Sequence, residues 1–133
     1  MTSGLERINP DQLAPATGFS HAVRTSGVTV HLAGQTALNA DGRIVGDGIV
    51  EQFEKALGNL LAALDAAGGT PDRLASLTVY LVDIEDYKAN MREIGRVWRR
   101  LVGSDYPAMA AVGVTRLWDV EALVEVQGTA VLE

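Results

Sequence analysis

The chain has 133 residues, of which 47% are hydrophobic, and its 17 acidic and 11 basic residues give a formal net charge of −6. This length and composition suffice for one domain with a buried core, and we interpret residues 1–133 as a single domain. The charge disfavours nucleic acid and anionic membranes as partners, and the presence of two histidines and no cysteine excludes a disulfide framework and disfavours a zinc site.

The beginning of the chain is predicted to be an irregular arm followed by a hairpin. Residues 1–20 contain prolines and glycines without a period, which is typical of a segment laid over the surface. Residues 20–25 and 28–33 flank the turn signal Ser26-Gly27, and we expect these two runs to pair with each other. Residues 39–48 are rich in glycine and aspartate and are predicted to be a loop.

Two amphipathic helices are predicted in the middle of the chain. Apolar residues recur at steps of three and four over residues 49–67, and Gly68-Gly69 ends that helix. A second such series runs over residues 87–101, with Asp86 as the expected N-cap. Residues 74–82, between the two helices, are rich in β-branched and aromatic side chains, which predicts a central strand.

The last two strands are predicted to be antiparallel neighbours. Two short apolar runs flank the connection formed by residues 116–122. Their pairing would bring Glu125 close to residues 109–111 of the partner strand. A carboxylate beside apolar backbone at a strand end can bind a water molecule and exchange a proton with it. This region is therefore the predicted functional pocket.

The element order ββαβαββ predicts an α+β fold with a mixed sheet and two helices on one face. The two crossover units join parallel strands, and a hairpin is expected at either end. Two helices cover only one face of such a sheet. Residues 109–114 are nevertheless apolar or small on both faces, which predicts that another copy of the chain covers the open face. The alternative is a monomer in which this apolar face of the sheet remains exposed to solvent.

Five short motifs occur in order along nearly the whole chain. They are Ser20-His21-Ala22-Val23, Ala33-Gly34-Gln35, the helix end Gly68-Gly69, Tyr106-Pro107-Ala108 and Val124-Glu125-Val126. Together they resemble the RidA/YjgF family of reactive-intermediate deaminases. The resemblance implies a chorismate-mutase-like fold and a homotrimer with pockets at its subunit interfaces. It also implies hydrolysis of small enamines and imines without a metal or cofactor.

The resemblance makes Glu125 the catalytic candidate, because it matches the family glutamate that helps to activate water. The alternative for Glu125 is a hydrogen bond across the subunit interface. The expected binding residues are Phe19, Ala33, Gly34, Gln35, Met109, Ala111, Arg116, Trp118 and Gln127. Met109 stands where these deaminases carry an arginine that holds the substrate carboxylate through two hydrogen bonds. A thioether has no donor and no charge, so the pocket is predicted to be more apolar than theirs.

Three of these binding residues have a more specific expected placement, and the resemblance adds one further position. Gln127 shares the strand face of Glu125, and Arg116 supplies a positive charge in the connection beside the pocket. Trp118 either roofs the pocket of a neighbouring subunit or packs at the edge of the trimer. The resemblance also aligns Gly95 with a family asparagine near the start of the second helix.

The composition indicates a cytoplasmic protein, and the resemblance implies a homotrimer that acts on a small imine, enamine or related carbonyl compound. We expect no nucleic acid, membrane or cofactor as a partner, and no apolar run approaches the ~20 residues that cross a bilayer. A non-catalytic metabolite-binding or regulatory trimer is the alternative. Endoribonuclease activity, which has been attached to parts of the family, is disfavoured by the net charge of −6.

Overall fold

The structure is a computed structural model that describes residues 4–133 as a mixed sheet covered on one face by helices. The elements in chain order are β1 (Leu5–Ile8), β2 (Ala22–Thr25), β3 (Val28–Gln35), α1 (Ile49–Ala66), β4 (Leu74–Leu81), α2 (Ile84–Ala89), α3 (Met91–Leu101), β5 (Ala108–Gly113) and β6 (Val124–Leu132). The four-stranded sheet has the order β3-β6-β4-β5, and β1 and β2 form a separate two-stranded ribbon. Within residues 4–133, no helix combines the length and apolar character needed to cross a membrane.

The α+β fold class is confirmed, with one more strand and one more helix than predicted. β4 and β5 are parallel neighbours, and α2 and α3 form the crossover between them. β3 and β4 also run in the same direction, because both are antiparallel to β6, which lies between them. Both predicted crossover units therefore exist, although only one of them joins adjacent strands.

The predicted N-terminal hairpin is wrong. β2 pairs with β1, so the expected arm contains a strand, and β3 pairs with β6 instead of β2. Residues 1–3 of that arm lie outside the described residues. Gly27 has a φ of 126° and lies against the backbone of Leu132, where a side chain would collide. The Ser26-Gly27 turn therefore redirects the chain onto β6, and a turn signal alone does not specify the partner of the strand that follows it.

The predicted pairing of the last two strands is also wrong, because β4 lies between β5 and β6. Ala111 on β5 pairs with Val79 of β4, and Glu125 on β6 pairs with Tyr80. The connection between β5 and β6 is long enough to carry the chain past the end of β4. β4 then takes the central position, which suits a strand whose four leucine and valine side chains facing the helices are almost completely buried.

The second predicted helix is divided in two at Asn90. α2 begins one turn earlier than expected, because its N-cap is Asp83, whose carboxylate accepts a hydrogen bond from the backbone N–H of Asp86 at 3.1 Å. The side chain of Asn90 donates to the backbone oxygen of Asp86 at 2.8 Å and closes α2.

The helices and one face of the sheet enclose the core. Its largest fully buried side chains are Phe53, Leu57, Leu60, Leu64, Leu74, Leu77, Val79, Leu81, Val124 and Val126. Trp98 of α3 is also buried, and its indole N–H donates to the backbone oxygen of Asp105 at 3.0 Å. Its ring stacks on Tyr106, with 5.1 Å between centroids. These contacts hold the start of β5 against the helices.

The opposite face of the sheet carries no helix or strand layer in the part of the chain that the structure describes. The polar side chains of β4 alternate onto this open face, namely Ser76, Thr78 and Tyr80. Residues of β5 and β6 that pair with them lie on the same face, including Val112 and Glu125. The two faces of the sheet therefore differ chemically, and each of them carries part of the predicted site.

Candidate functional site

Glu125 lies on the open face of the sheet and is half-buried. Its pairing partner on β4 is Tyr80, whose hydroxyl donates to Oε1 of Gln127 at 3.1 Å. Among residues 4–133, no group forms a hydrogen bond or an ion pair with the Glu125 carboxylate. We call Tyr80, Glu125 and Gln127, together with Ala33 and Gly34 of β3, the carboxylate patch.

A β-bulge in β3 makes room for this carboxylate. Leu32 pairs with Gly128 and Gln35 pairs with Val126, so that two residues of β3 face one residue of β6. A Cβ atom added to Gly34, one of those two residues, would overlap Oε2 of Glu125. The φ of Gly34 is not positive. Glycine at this position therefore leaves space for the observed position of the carboxylate, and its conformational freedom is not used.

A separate cleft lies on the helix side of the sheet, along the edge strand β5. Its volume is about 160 Å³, and its walls are formed by Gly18, Phe19, Val79, Tyr87, Met91, Met109, Ala110 and Ala111. Met109 and Ala111 reach it because they pair with Leu77 and Val79, which face the helices. We call this cavity the methionine cleft.

The N-terminal arm holds Phe19 at this cleft through its neighbour Ser20. The Ser20 side chain is buried, and its hydroxyl donates to the backbone oxygen of Tyr106 at 2.7 Å. The backbone N–H of Ser20 donates to the oxygen of Pro107 at 2.9 Å. His21 meets the Phe19 ring edge-on, with 4.9 Å between centroids. Phe19 is thus fixed to the start of β5 by contacts on both sides.

Tyr87 of α2 is a residue of the methionine cleft that the sequence pattern assigned only to an apolar helix stripe. Its ring meets Phe53 edge-on at 6.0 Å between centroids. Burial, and secondarily the nearby hydroxyl of Tyr106, raises the pKa of Tyr87 from 10.0 to about 12. The phenol is therefore neutral near pH 7. The only sequence signal was a hydroxyl-bearing residue on a stripe of otherwise apolar side chains.

We expect one of the three tyrosines of the folded chain to titrate near pH 12. The neutral phenol is favoured in the folded state, so its contribution to stability is complete below pH 10 and is lost as the pH rises through 12. Ultraviolet difference spectroscopy of the native chain and of Tyr87→Phe measures this step. If the late step persists in Tyr87→Phe, its assignment to Tyr87 is wrong.

Met91 occupies the position at the cleft that was expected for Gly95. A Cβ atom on Gly95 would meet only the side chain of Arg99, and Gly95 does not line the cleft. The difference follows from the helix break at Asn90, which places Met91 at the start of α3. Two thioethers, from Met91 and Met109, consequently face this cavity.

The predicted site residues fall into two groups instead of one. The first group belongs to the carboxylate patch and contains Ala33, Gly34, Glu125 and Gln127. The second group lines the methionine cleft and contains Phe19, Met109 and Ala111. The groups lie on opposite faces of the sheet, and β6 is about 10 Å from β5, twice the spacing of neighbouring strands. The expected proximity of Glu125 to residues 109–111 is therefore wrong within one chain.

Three predicted residues belong to neither group. Gln35 pairs with Val126, which places it on the helix side at the end of β3. The guanidinium of Arg116 donates to the backbone oxygens of Leu117 and Trp118, each at 3.0 Å, so it braces its own loop. The side chain of Trp118 is 91% exposed. Both of its expected roles require a second copy of the chain.

A larger depression of about 540 Å³ contains none of the predicted residues. It lies between α1 and α3, and its lining includes Glu51, Glu54 and Lys55. Arg100 of α3 pairs with Glu54 at 3.0 Å across it. This is a solvated groove between two helices. In residues 4–133, no group of three or more His, Cys, Asp or Glu side chains is placed to hold a metal ion.

Comparisons with known proteins match nearly the whole chain. A family model described as Endoribonuclease L-PSP matches residues 9–132. The RutC family protein UK114 of Drosophila melanogaster is 34% identical over 85% of this chain and 78% of its own length. The 2-iminobutanoate/2-iminopropanoate deaminase of Capra hircus is 34% identical over 88% of this chain and 84% of its own. The crystal structure of YyfB from Yersinia pestis, of the conserved Rid protein family, has a TM-score of 0.87 and 37% identity, covering 97% of this chain and 99% of YyfB.

Proposed function

Because this chain belongs to the RidA/YjgF family, we propose that it hydrolyses small, uncharged imines or enamines at a site shared between two copies of the chain. Relatives from Capra hircus and Homo sapiens are named 2-iminobutanoate/2-iminopropanoate deaminases. The reaction class that we propose is that of these relatives. The substrate class differs, for reasons that lie in the methionine cleft.

The observation that carries the proposal is the free carboxylate of Glu125, for which Gly34 leaves space. Attack of water on a C=N carbon requires a base for the water and an acid for the departing amine, and one carboxylate can serve as both. Glu125 takes a proton from water as the water oxygen bonds to the imine carbon. The carboxyl group returns this proton to the nitrogen, which gives a carbinolamine. The proton of the carbinolamine hydroxyl then passes through the same carboxylate to the nitrogen as the C–N bond breaks, and a carbonyl compound and ammonia leave. An enamine enters this route after protonation on carbon.

A second copy of the chain is needed because, within one chain, Glu125 and the methionine cleft lie on opposite faces of the sheet. Contact between the carboxylate patch of one copy and the methionine cleft of the next would bring them together. β5 is an edge strand in the described chain, and the sheet face that carries Glu125 is open, so both surfaces are available for such a contact. This contact joins two different surfaces, and such contacts form a ring when their rotation closes. The family resemblance implies that the ring has three copies. We therefore propose a homotrimer.

The methionine cleft favours substrates without a carboxylate. Phe19, Met91 and Met109 offer neither charge nor a hydrogen-bond donor. A carboxylate placed among these side chains would lose its hydration without gaining a counter-charge, which is strongly unfavourable. An uncharged imine or enamine does not carry this cost.

We do not extend the endoribonuclease description of the family model to this chain. Four arginines are paired with carboxylates: Arg7 with Asp105, Arg24 with Glu6, Arg96 with Glu93 and Arg100 with Glu54. Such pairs leave less positive charge for a phosphate backbone. The net charge of −6 acts in the same direction.

Gly34→Ala is expected to lower imine turnover by about 10²-fold, the scale of a misplaced catalytic group. The added methyl group would occupy the space of Oε2 of Glu125 and displace the carboxylate. The fold should persist, because Gly34 does not need a positive φ. Ammonia release from an imine generated in situ, together with thermal unfolding, measures both effects.

Gly58→Ala is the matched control for this change. A Cβ atom at Gly58, in the interior of α1, meets nothing within 4 Å. This variant should keep its activity and gain about 0.5–1 kcal/mol of stability from better helix propensity. Full activity in Gly34→Ala would show that the position of the Glu125 carboxylate does not matter for turnover.

A further inference from the structure

We propose that Tyr87 determines ligand specificity in the methionine cleft, its hydroxyl donating a hydrogen bond to a neutral carbonyl oxygen of the ligand. The inference rests on the proposed function and narrows its substrate class. The preferred substrate is then a compact imine or enamine with an uncharged carbonyl group, such as an amide, an ester or a ketone.

The first argument is that Tyr87 is chemically unlike the other residues that line the cleft. The other seven lining residues are glycine, alanine, valine, phenylalanine and methionine, so this hydroxyl is the only strong hydrogen-bond donor on a lining side chain. A ligand that presents an acceptor to this cleft therefore finds one side-chain partner.

The second argument is that the hydroxyl is unoccupied. Across residues 4–133, no group hydrogen-bonds to it, whereas the hydroxyl of Tyr80 is engaged by Gln127. It is also not among the buried side-chain atoms that lack a partner, which in the described chain are Nε of Arg7 and Nη2 of Arg73. The Tyr87 hydroxyl is therefore not completely buried. A hydroxyl that has no internal partner and is not completely buried is available to a ligand.

The third argument is the protonation and the fixed position of the ring. The pKa of Tyr87 is raised to about 12, so the group stays a donor across the whole physiological range. Its edge-on contact with Phe53 at 6.0 Å holds the ring between α1 and α2. The hydroxyl is thus presented from a fixed ring, which lowers the entropy cost of a hydrogen bond to the ligand.

Charge and size define the ligand class. A carboxylate would also accept this hydrogen bond, but one bond from a neutral donor does not offset its desolvation among two thioethers and a phenyl ring. A cleft of about 160 Å³ has room for about five molecules of water at their liquid volume. The ligand group that enters it is consequently a small ring or a short branched chain.

Two probes of the same shape test the inference, namely cyclohexanone, which has a carbonyl oxygen, and methylenecyclohexane, which does not. The chain has three methionines, and NMR of their labelled methyl groups reports binding at Met91 and Met109, which Met91→Leu and Met109→Leu assign. Tyr87→Phe should weaken cyclohexanone binding by about 3- to 10-fold, the value of one neutral hydrogen bond, and leave methylenecyclohexane within about twofold. Equal effects on both probes, or none, would overturn the inference.

Thr25→Val serves as the control, because it removes an exposed hydroxyl on β2 that does not line the cleft, and it should leave the affinities for both probes unchanged. A second measurement needs no substitution at Tyr87. In the native chain with 3-fluorotyrosine at its three tyrosines, cyclohexanone should shift the Tyr87 resonance clearly more than methylenecyclohexane does. Equal shifts would also overturn the inference.

Turnover is measured separately, so that the two proposals can fail independently. If the native chain hydrolyses imines but Tyr87→Phe affects both probes equally, the role of Tyr87 is wrong and the proposed function stands. If Tyr87→Phe weakens only cyclohexanone binding and the native chain hydrolyses no imine, the ligand contact is supported and the proposed hydrolase activity is contradicted.

Discussion

Glu125→Gln is expected to lower kcat for imine hydrolysis by about 10²–10⁴-fold, the usual contribution of a general acid–base group. Glutamine has nearly the same shape and fits the space beside Gly34, but it cannot take a proton from water. The folded chain should therefore keep its ligand affinity within a small factor. The measurement is the rate of ammonia release above the uncatalysed rate, with an uncharged imine generated in situ by an amine oxidase.

Glu51→Gln provides the matched control for the loss of one negative charge. Glu51 lies in the first turn of α1, on the helix side of the molecule, outside both parts of the proposed site. Its replacement should leave kcat unchanged. Unaltered turnover in Glu125→Gln would exclude the catalytic role. Ligand binding by a native chain without measurable turnover would support the alternative of a metabolite-binding protein.

Glu125→Gln also tests the proposal that the site is shared between copies, when it is combined with a second variant. Ala111→Tyr is designed to fill the methionine cleft while leaving Glu125 intact. Each variant alone should be inactive. When the two are co-expressed in equal amounts, roughly a quarter of all sites combine an intact carboxylate with an open cleft, and activity should return in that proportion. Mixed assemblies that remain inactive would contradict a shared site.

Met109→Arg should raise kcat/KM for 2-iminopropanoate by about 10²-fold or more, because a guanidinium would supply two charge-assisted hydrogen bonds to the carboxylate at roughly 1.5–3 kcal/mol each. Met109 is half-buried at the edge of β5. The aliphatic stem of arginine can replace the methionine side chain while its charged end reaches toward the ligand. Steady-state kinetics with the charged imine and with an uncharged imine of the same size would measure the change in preference.

Two substitutions at the same position separate charge from geometry. Met109→Leu keeps the cleft apolar and should bring no gain with the charged imine. Met109→Lys adds a point charge without the planar fork, so its gain should be smaller than that of arginine. A folded Met109→Arg chain that gains nothing would show that the missing guanidinium does not limit this chemistry.

Local patterns predicted most of the secondary structure and part of the site chemistry. The predicted helix over residues 49–67 is observed as Ile49–Ala66, and the predicted strand over residues 74–82 is observed as Leu74–Leu81. Both depend on the period of apolar side chains, which neighbouring residues determine by themselves. The chemical consequence of a thioether at Met109 is local in the same sense, since it follows from the side chain alone.

The order of the strands, and with it the division of the site, was decided only by the tertiary structure. β3 pairs with residues near the other end of the chain, and β4 separates β5 from β6. These pairings depend on which apolar faces can be buried together. The faces belong to segments far apart in the sequence, so a local pattern does not predict the pairing. The space at Gly34 and the raised pKa of Tyr87 have the same origin, because each depends on a side chain from another element. The sequence by itself therefore determined most of the elements and the side-chain chemistry, whereas long-range packing determined which of those side chains meet.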